Sequence, residues 1–166
     1  MRLSPEVFEY TAEALTQLKR LRLTWDAQHT LHYAPLIAMR CPNLEHLSLH
    51  SPTGRAGAHR LDFNVLCDAF PNLKSLAIGH FFLKFPKPSF ALPHLEKFSL
   101  AYLHDKEAQG MALYLLEFLP RTLKSLTLGM TFARSVAVRK VCAEFTNLEE
   151  CDLGVDVTVC HARLMT

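Results

Sequence analysis

The stretch CPNLEHLSL (41–49) and its near copy FPNLKSLAI (70–78) decide the fold of this 166-residue chain. Each carries apolar residues in the frame L-x-x-L-x-L, and the frame recurs in LTQLKRLRL, LPHLEKFSL, PRTLKSLTL and FTNLEECDL. The six frames occupy residues 18–23, 44–49, 73–78, 95–100, 123–128 and 148–153. Successive frames begin 26, 29, 22, 28 and 25 residues apart, which is a mean period of 26. This recurrence predicts one repeat domain over residues 1–166 rather than independent amphipathic helices.

The spacing of the frame predicts strands that stack side by side. In the x-L-x-L-x part of each frame, alternate side chains point to opposite faces, so the apolar residues point inward and the x residues outward. One such strand cannot bury its apolar face, but copies stacked about 4.8 Å apart form a parallel sheet over a continuous core. We therefore expect an α/β fold with a parallel sheet of about six strands, one for each frame.

Parallel neighbours need a crossover, and the segments between the frames are long enough to supply it. Asp62 is predicted to cap one crossover helix, because an Asp side chain can accept a hydrogen bond from an amide of the first turn. Pro86 and Pro88 exclude a regular helix from residues 80–92, which should cross in an extended or turn conformation. The predicted helices are residues 5–17, 30–40, 62–70, 105–119 and 134–145.

The frame and its period resemble the leucine-rich-repeat superfamily from Leu15 to Leu153. The irregular period and the helix-bearing units are most similar to the repeats of F-box proteins. The resemblance implies a right-handed solenoid with a concave parallel sheet and convex helices. It also implies a substrate receptor of a cullin ubiquitin ligase, which would bind a Skp-type adaptor through an F-box that is missing ahead of the first repeat. The chain departs from the family where Asn or Cys should follow each frame, at Asp26, Pro52, Phe81, Leu103, Thr131 and Asp156.

The outward side chains of the strands are the predicted binding surface, since repeat proteins bind partners on an extended face. Basic residues lie on the first strand and acidic residues on the last, with small residues between them, which suits a protein or peptide of complementary charge. Two aromatic side chains near this face are candidate anchors. The predicted partner-binding residues are Arg20, Arg22, Trp25, His46, His50, Lys97, Tyr102, Glu150 and Asp152.

The C-terminal end of the sheet is a second candidate surface. Val155, Val157 and Val159 alternate like a strand, and no closing helix follows them in the sequence. An exposed apolar edge favours association. We therefore expect either self-association through this edge or continuation into a longer array of which the chain is a fragment.

Composition excludes several classes of protein. The chain has 18 Lys and Arg residues against 16 Asp and Glu, a net charge of +2, which makes nucleic acid a poor partner. No apolar run approaches the roughly 20 residues that span a bilayer, so no membrane partner is expected. Five cysteines without a CxxC spacing argue against a disulfide framework, and Cys41, Cys67 and Cys151 are predicted to be buried. A cytoplasmic or nuclear location is expected.

Sites for chemistry are not predicted. The sequence has no phosphate-binding loop and no nucleophile elbow. His46 and His50 lie on one strand face, but four residues of strand separate them by about 13 Å, too far to share a zinc ion. We therefore predict no catalytic residues, no metal and no cofactor. The leading hypothesis is a protein-interaction module, and the alternatives are a structural subunit of a stable assembly or the sensor arm of an innate-immune-type protein.

Overall fold

The computed structural model describes residues 15–24, 34–51, 60–79, 82–84, 92–103, 110, 114–130 and 143–152. Within these ranges the chain is α/β. The elements in chain order are β1 (Arg20–Thr24), α1 (Ala34–Arg40), β2 (His46–His50), β3 (Arg60–Asp62), α2 (Phe63–Ala69), β4 (Ser75–Gly79), β5 (Phe82–Lys84), β6 (Lys97–Leu103), β7 (Ser125–Met130) and β8 (Glu150–Asp152).

Six of the strands form one parallel sheet in the order β1-β2-β4-β6-β7-β8. The residue range of each of these six strands overlaps one predicted frame. The order of the strands in the sheet follows the order of the frames along the chain. The parallel six-stranded sheet expected from the repeats is therefore confirmed. The strands are in register, so residues at equivalent frame positions lie side by side across the sheet.

The core is built from the inward positions of the frames. One inward column runs through Leu21, Leu47, Leu76, Phe98, Leu126 and Cys151. The next runs through Leu23, Leu49, Ile78, Leu100 and Leu128. Between the outermost strands these side chains are 2% exposed or less. Each buried leucine contributes about 1.5–3 kcal/mol relative to an exposed one, so this stack is the main source of stability in the described sheet.

A repeated turn starts each strand and explains the proline that precedes several frames. The amide of Leu44 donates to the carbonyl of Cys41 at 3.1 Å, and the amide of Leu73 donates to that of Phe70 at 3.3 Å. Proline stands at the second position of these turns, where its fixed φ is favourable. The first residue is buried in four of the six such turns and partly exposed in the other two, at Leu15 and Pro120; the buried ones are Cys41, Phe70, Leu92 and Phe145.

Three of the predicted crossover helices are mostly helical in their described parts, whereas residues 143–145, the described end of the predicted helix 134–145, are not helical. α1 lies within the predicted helix 30–40, and α2 lies within 62–70. Asp62 caps α2 as expected, since its Oδ1 accepts a hydrogen bond from the amide of Asn64 at 3.1 Å. Residues 114–118 are helical within the predicted range 105–119. Most of the predicted helices 5–17 and 134–145 lies outside the described residues.

The described part of the crossover between the third and fourth frames, Phe82–Lys84, is extended, as the two prolines predict. Residues Phe82–Lys84 form β5, and this strand pairs in parallel with β3 as a separate two-stranded sheet. The pairing with β3 was not expected from the sequence, because neither three-residue run has the alternation of a longer strand. Pro86 and Pro88 themselves lie outside the described residues.

The prediction that Cys151 is buried is wrong. Its frame position points inward like Leu126 of the neighbouring strand, but Cys151 is exposed, as are the other residues of β8. β8 is an outer strand of the described sheet and so has a described neighbour on one side only. The predictions for Cys41 and Cys67 are confirmed, because both are buried. Burial, followed by the negative charge of Asp68, raises the pKa of the Cys67 thiol to about 12.

Candidate functional site

The outward side chains of the six-stranded sheet form three columns, which we call the open face. The columns follow directly from the strand register. The first column is Arg20, His46, Ser75, Lys97, Ser125 and Glu150. The second is Arg22, Ser48, Ala77, Ser99, Thr127 and Asp152. The third is Thr24, His50, Gly79, Ala101 and Gly129.

Charge on the open face is divided between its two ends. Arg20 and Arg22 are exposed on β1, and Glu150 and Asp152 are exposed on β8. The two pairs lie about 24 Å apart, since five strand spacings of about 4.8 Å separate their strands. Lys97, which is also exposed, lies between them on β6. The remaining positions of β4, β6 and β7 carry small side chains, so the middle of the face would let the backbone of a partner approach closely.

A shallow depression marks the basic end of the open face. It has a volume of about 220 Å³ and lies across β1, β2 and β4. Its lining residues are Arg20, Leu21, Arg22, His46, Leu47, Ser48, Ser75 and Ala77. Two arginines, a histidine and two serines are therefore among the residues that line one cavity. This combination of donors suits a carboxylate or another anionic group.

Partial burial and the nearby charges together set the pKa of His46. Partial burial lowers the pKa of the imidazole, and the charge of Arg20 lowers it further. Lys74 and Lys97 act in the same direction, and Glu45 opposes them. His46 is therefore neutral at neutral pH. An anion bound in the depression would raise its pKa, because a negative charge stabilises the imidazolium.

His50 is held in a defined position at the third column. Its Nε2 lies 3.0 Å from the Oγ of Ser48 on the same strand, which is hydrogen-bonding distance. The ring also lies over Gly79 of β4, so closely that a Cβ atom at Gly79 would lie 2.7 Å from the Nδ1 of His50. Only glycine at position 79 allows this approach without a shift of the ring. His50 is thus a fixed polar group beside the basic depression.

An alternating row of charges lies at the strand entrances, one residue after the first leucine of each frame. This row was not predicted, although its alternating charges are visible in the repeats. We call it the entrance ladder, and its residues are Lys19, Glu45, Lys74, Glu96, Lys124 and Glu149. Lys19 Nζ lies 3.4 Å from Glu45 Oε1, Lys74 Nζ lies 3.0 Å from Glu45 Oε2, and Lys124 Nζ lies 3.3 Å from Glu96 Oε2. Hydrogen bonds from Lys74 and Lys19 lower the pKa of Glu45.

Backbone hydrogen bonds fix the entrance ladder at every step. The carbonyl of Lys124 accepts from the amides of Glu149 at 2.8 Å and Glu150 at 3.0 Å. The carbonyl of Lys19 accepts in the same way from the amides of Glu45 and His46. The same pattern holds at each of the five junctions between the six strands. Every strand is therefore set on its neighbour with the same offset, which keeps the columns of the open face aligned.

Asparagines in the entrance turns also connect successive repeats. Asn43 Nδ2 donates to the carbonyl of Thr16 at 2.8 Å, and Asn147 Nδ2 donates to that of Arg121 at 3.3 Å. None of the six residues that stand three positions after a frame is an asparagine. These two side chains instead satisfy backbone carbonyls at the opposite end of the strands.

The structure does not describe every predicted site residue. Trp25 lies outside the described residues, and Tyr102 is described only as a backbone position in β6. The other seven predicted residues lie on the open face, and Arg20, Arg22 and His46 line one cavity. Among the described residues, no group of three His, Cys, Asp or Glu side chains could hold a metal ion.

No helix in the described ranges is both long and apolar enough to cross a membrane. Comparisons of the chain with protein-family models, with curated proteins and with solved structures found no match.

Proposed function

We propose that the chain is a non-enzymatic interaction module of the leucine-rich-repeat type, with the open face as its binding surface for a protein or peptide. The observation that carries the proposal is the charge division of that face. Arginines at one end and carboxylates at the other flank a floor of small side chains. A sheet that served only to close a core would not need this arrangement.

The geometry defines the kind of ligand that would fit. An acidic side chain of the ligand would occupy the depression beside Arg20, Arg22 and His46. A basic side chain would lie near Glu150 and Asp152, about 24 Å away. An extended segment of about seven residues spans that distance at about 3.3 Å per residue. The proposed ligand is therefore a short segment with acidic and basic groups at opposite ends.

Two variants of equal net charge test the position of the binding site. Arg20→Gln with Arg22→Gln removes two positive charges from the open face, whereas Arg121→Gln with Lys124→Gln removes two from the entrance side. The probe is a labelled peptide with glutamates at one end, alanine and serine in the middle and lysines at the other, measured by fluorescence anisotropy. Loss of two exposed ion pairs of about 0.2–1 kcal/mol each weakens binding about 2- to 30-fold.

The control pair should bind the probe with nearly unchanged affinity. Thermal melts of both variants check folding, and the open-face pair should melt close to the wild type because Arg20 and Arg22 are exposed. Equal weakening by the two pairs would show that net charge alone governs binding. Reversal of Arg20 and Arg22 to glutamate should weaken binding further, and unchanged binding by that variant would contradict the proposal.

The resemblance to F-box repeats supports a more specific proposal, that the module selects substrates for a cullin ubiquitin ligase. Affinity purification of the whole protein from cells tests it. A Skp-type adaptor and a cullin in the eluate support a ligase receptor. A complex of fixed stoichiometry without them supports the structural-subunit hypothesis, and a nucleotide-binding domain in the same polypeptide supports the sensor-arm hypothesis.

A further inference from the structure

The two outer strands of the described sheet differ from the inner ones at the same inward position. In the inner strands this column is filled by Leu47, Leu76, Phe98 and Leu126, which are 2% exposed or less. The residue at this position in β8, Cys151, is exposed, and Leu21 in β1 is only partly buried. In the described sheet, this inward position is therefore more exposed in the two outer strands than in the inner ones.

The same two strands carry opposite charges at the matched outward positions of the first two columns. If a strand with the sequence of β1 followed β8 in the sheet, the first column would place Arg20 beside Glu150, and the second would place Arg22 beside Asp152. In the entrance ladder, Lys19 of the added strand would follow Glu149. Positive and negative side chains would therefore continue to alternate across the junction. All three pairs join exposed side chains of opposite charge.

We propose that β8 of one copy of this chain pairs with β1 of a second copy, in parallel and in the register of the inner strands. The carbonyl of Glu149 would then accept from the amides of Lys19 and Arg20 of the second copy, as the carbonyl of Lys124 accepts from Glu149 and Glu150. Leu21 of the second copy would cover Cys151. Copies joined in this way form a head-to-tail array, because the two surfaces in contact differ.

The charges also exclude the other pairings of these edges. Two β1 strands side by side would bring arginines and Lys19 together, and two β8 strands would bring carboxylates together. Short, charged edge strands usually prevent sheets from joining. Here the two edges have opposite sign, so repulsion prevents contact between like edges and attraction favours contact between unlike ones. The pairing needs no ligand, but it uses Arg20, Arg22, Glu150 and Asp152, so it would compete with the proposed ligand for these side chains.

Charge reversal of one edge at a time tests the pairing. The β1 variant carries Arg20→Glu and Arg22→Glu, which makes both edges acidic. The β8 variant carries Glu150→Arg and Asp152→Arg, which makes both edges basic. Sedimentation velocity of the isolated chain is measured over a concentration series up to about 1 mM, a range that detects weak association. Circular dichroism confirms that each variant is folded.

The wild type should sediment faster as its concentration rises, and less so at high salt because exposed charges are screened. Each variant alone should associate at least about tenfold more weakly, because ion pairs become like-charge contacts. An equimolar mixture of the two variants should regain association, since each acidic edge then meets a basic one. The proposal is overturned if the wild type stays monomeric at about 1 mM, if either variant alone associates like the wild type, or if the mixture does not recover.

Discussion

The contact between His50 and Gly79 gives a prediction that can be worked out in free energy. Replacing Gly79 by alanine would place a Cβ atom 2.7 Å from His50 Nδ1, which is closer than such atoms approach in proteins. The ring must therefore turn away and lose its 3.0 Å contact with Ser48. A lost hydrogen bond of this kind costs about 0.5–1.5 kcal/mol in the free energy of unfolding.

Alanine has an advantage that opposes this cost. Within a strand, alanine is more favourable than glycine by about 0.5–1 kcal/mol, because glycine loses more backbone entropy on folding. Gly79 is the last residue of β4, but it is still paired with a strand on each side. In the wild-type background the two effects nearly cancel, so Gly79→Ala should change stability by less than about 1 kcal/mol. In a His50→Ala background no ring is displaced, and Gly79→Ala should stabilise the protein by about 0.5–1 kcal/mol.

Urea unfolding of the four members of this double-mutant cycle, followed by circular dichroism, measures the coupling. We expect the effect of Gly79→Ala to differ by about 1 kcal/mol between the two backgrounds. Gly110→Ala is the matched control, because a Cβ there meets no atom within 4 Å and Gly110 is helical. It should stabilise both backgrounds equally. Equal effects of Gly79→Ala in the two backgrounds, within about 0.3 kcal/mol, would refute the contact.

Three further predictions follow from burial and charge. Leu76→Ala should destabilise the protein by about 2–5 kcal/mol in urea unfolding, because Leu76 is fully buried. Leu36→Ala, at a 43% exposed position, should cost about 0.5 kcal/mol or less. Similar losses of stability in the two variants would contradict the assigned core. His46 should titrate below 6.5 in an NMR experiment. Because the unfolded chain then binds this proton more readily, His46 lowers stability as the pH falls through about 6.5, and a midpoint above 6.5 would contradict the basic environment. At pH 8 an alkylating reagent should modify exposed Cys151 and spare Cys67, whose pKa is about 12. Peptide mass spectrometry measures modification at both residues, and modification of Cys67 with Cys151 spared would contradict the assigned burial.

Sequence periodicity predicted the sheet because each frame places apolar side chains on one face. The equal offset of successive strands then follows from the turn that starts each one, so the columns from Arg22 to Asp152 could be written down before any coordinates. Asp62 was predictable as a cap because its interaction is local. Features that depend only on a short stretch of chain with a fixed period could therefore be predicted from the sequence.

Features that depend on neighbours in space could not be read in this way. A frame position predicts that Cys151 points inward, but its burial also depends on its neighbours in space, and β8 has a described strand on one side only. The pairing of β3 with β5 joins two runs too short to show a period. The approach of His50 to Gly79 depends on a side-chain rotamer. The entrance ladder, by contrast, could have been predicted from the sequence. Alignment of the six repeats at the residue after the first leucine shows its alternating charges.

The most direct test of the central claim, that the open face is the binding surface, is an NMR titration with the charge-divided peptide described above. We predict that the amide signals of the outward columns shift on binding, including those of Arg22, Ser48 and Ala77. Signals from α1 should stay in place, although Leu36 and Met39 expose apolar surface there. Shifts confined to α1, with the open face unchanged, would contradict the account.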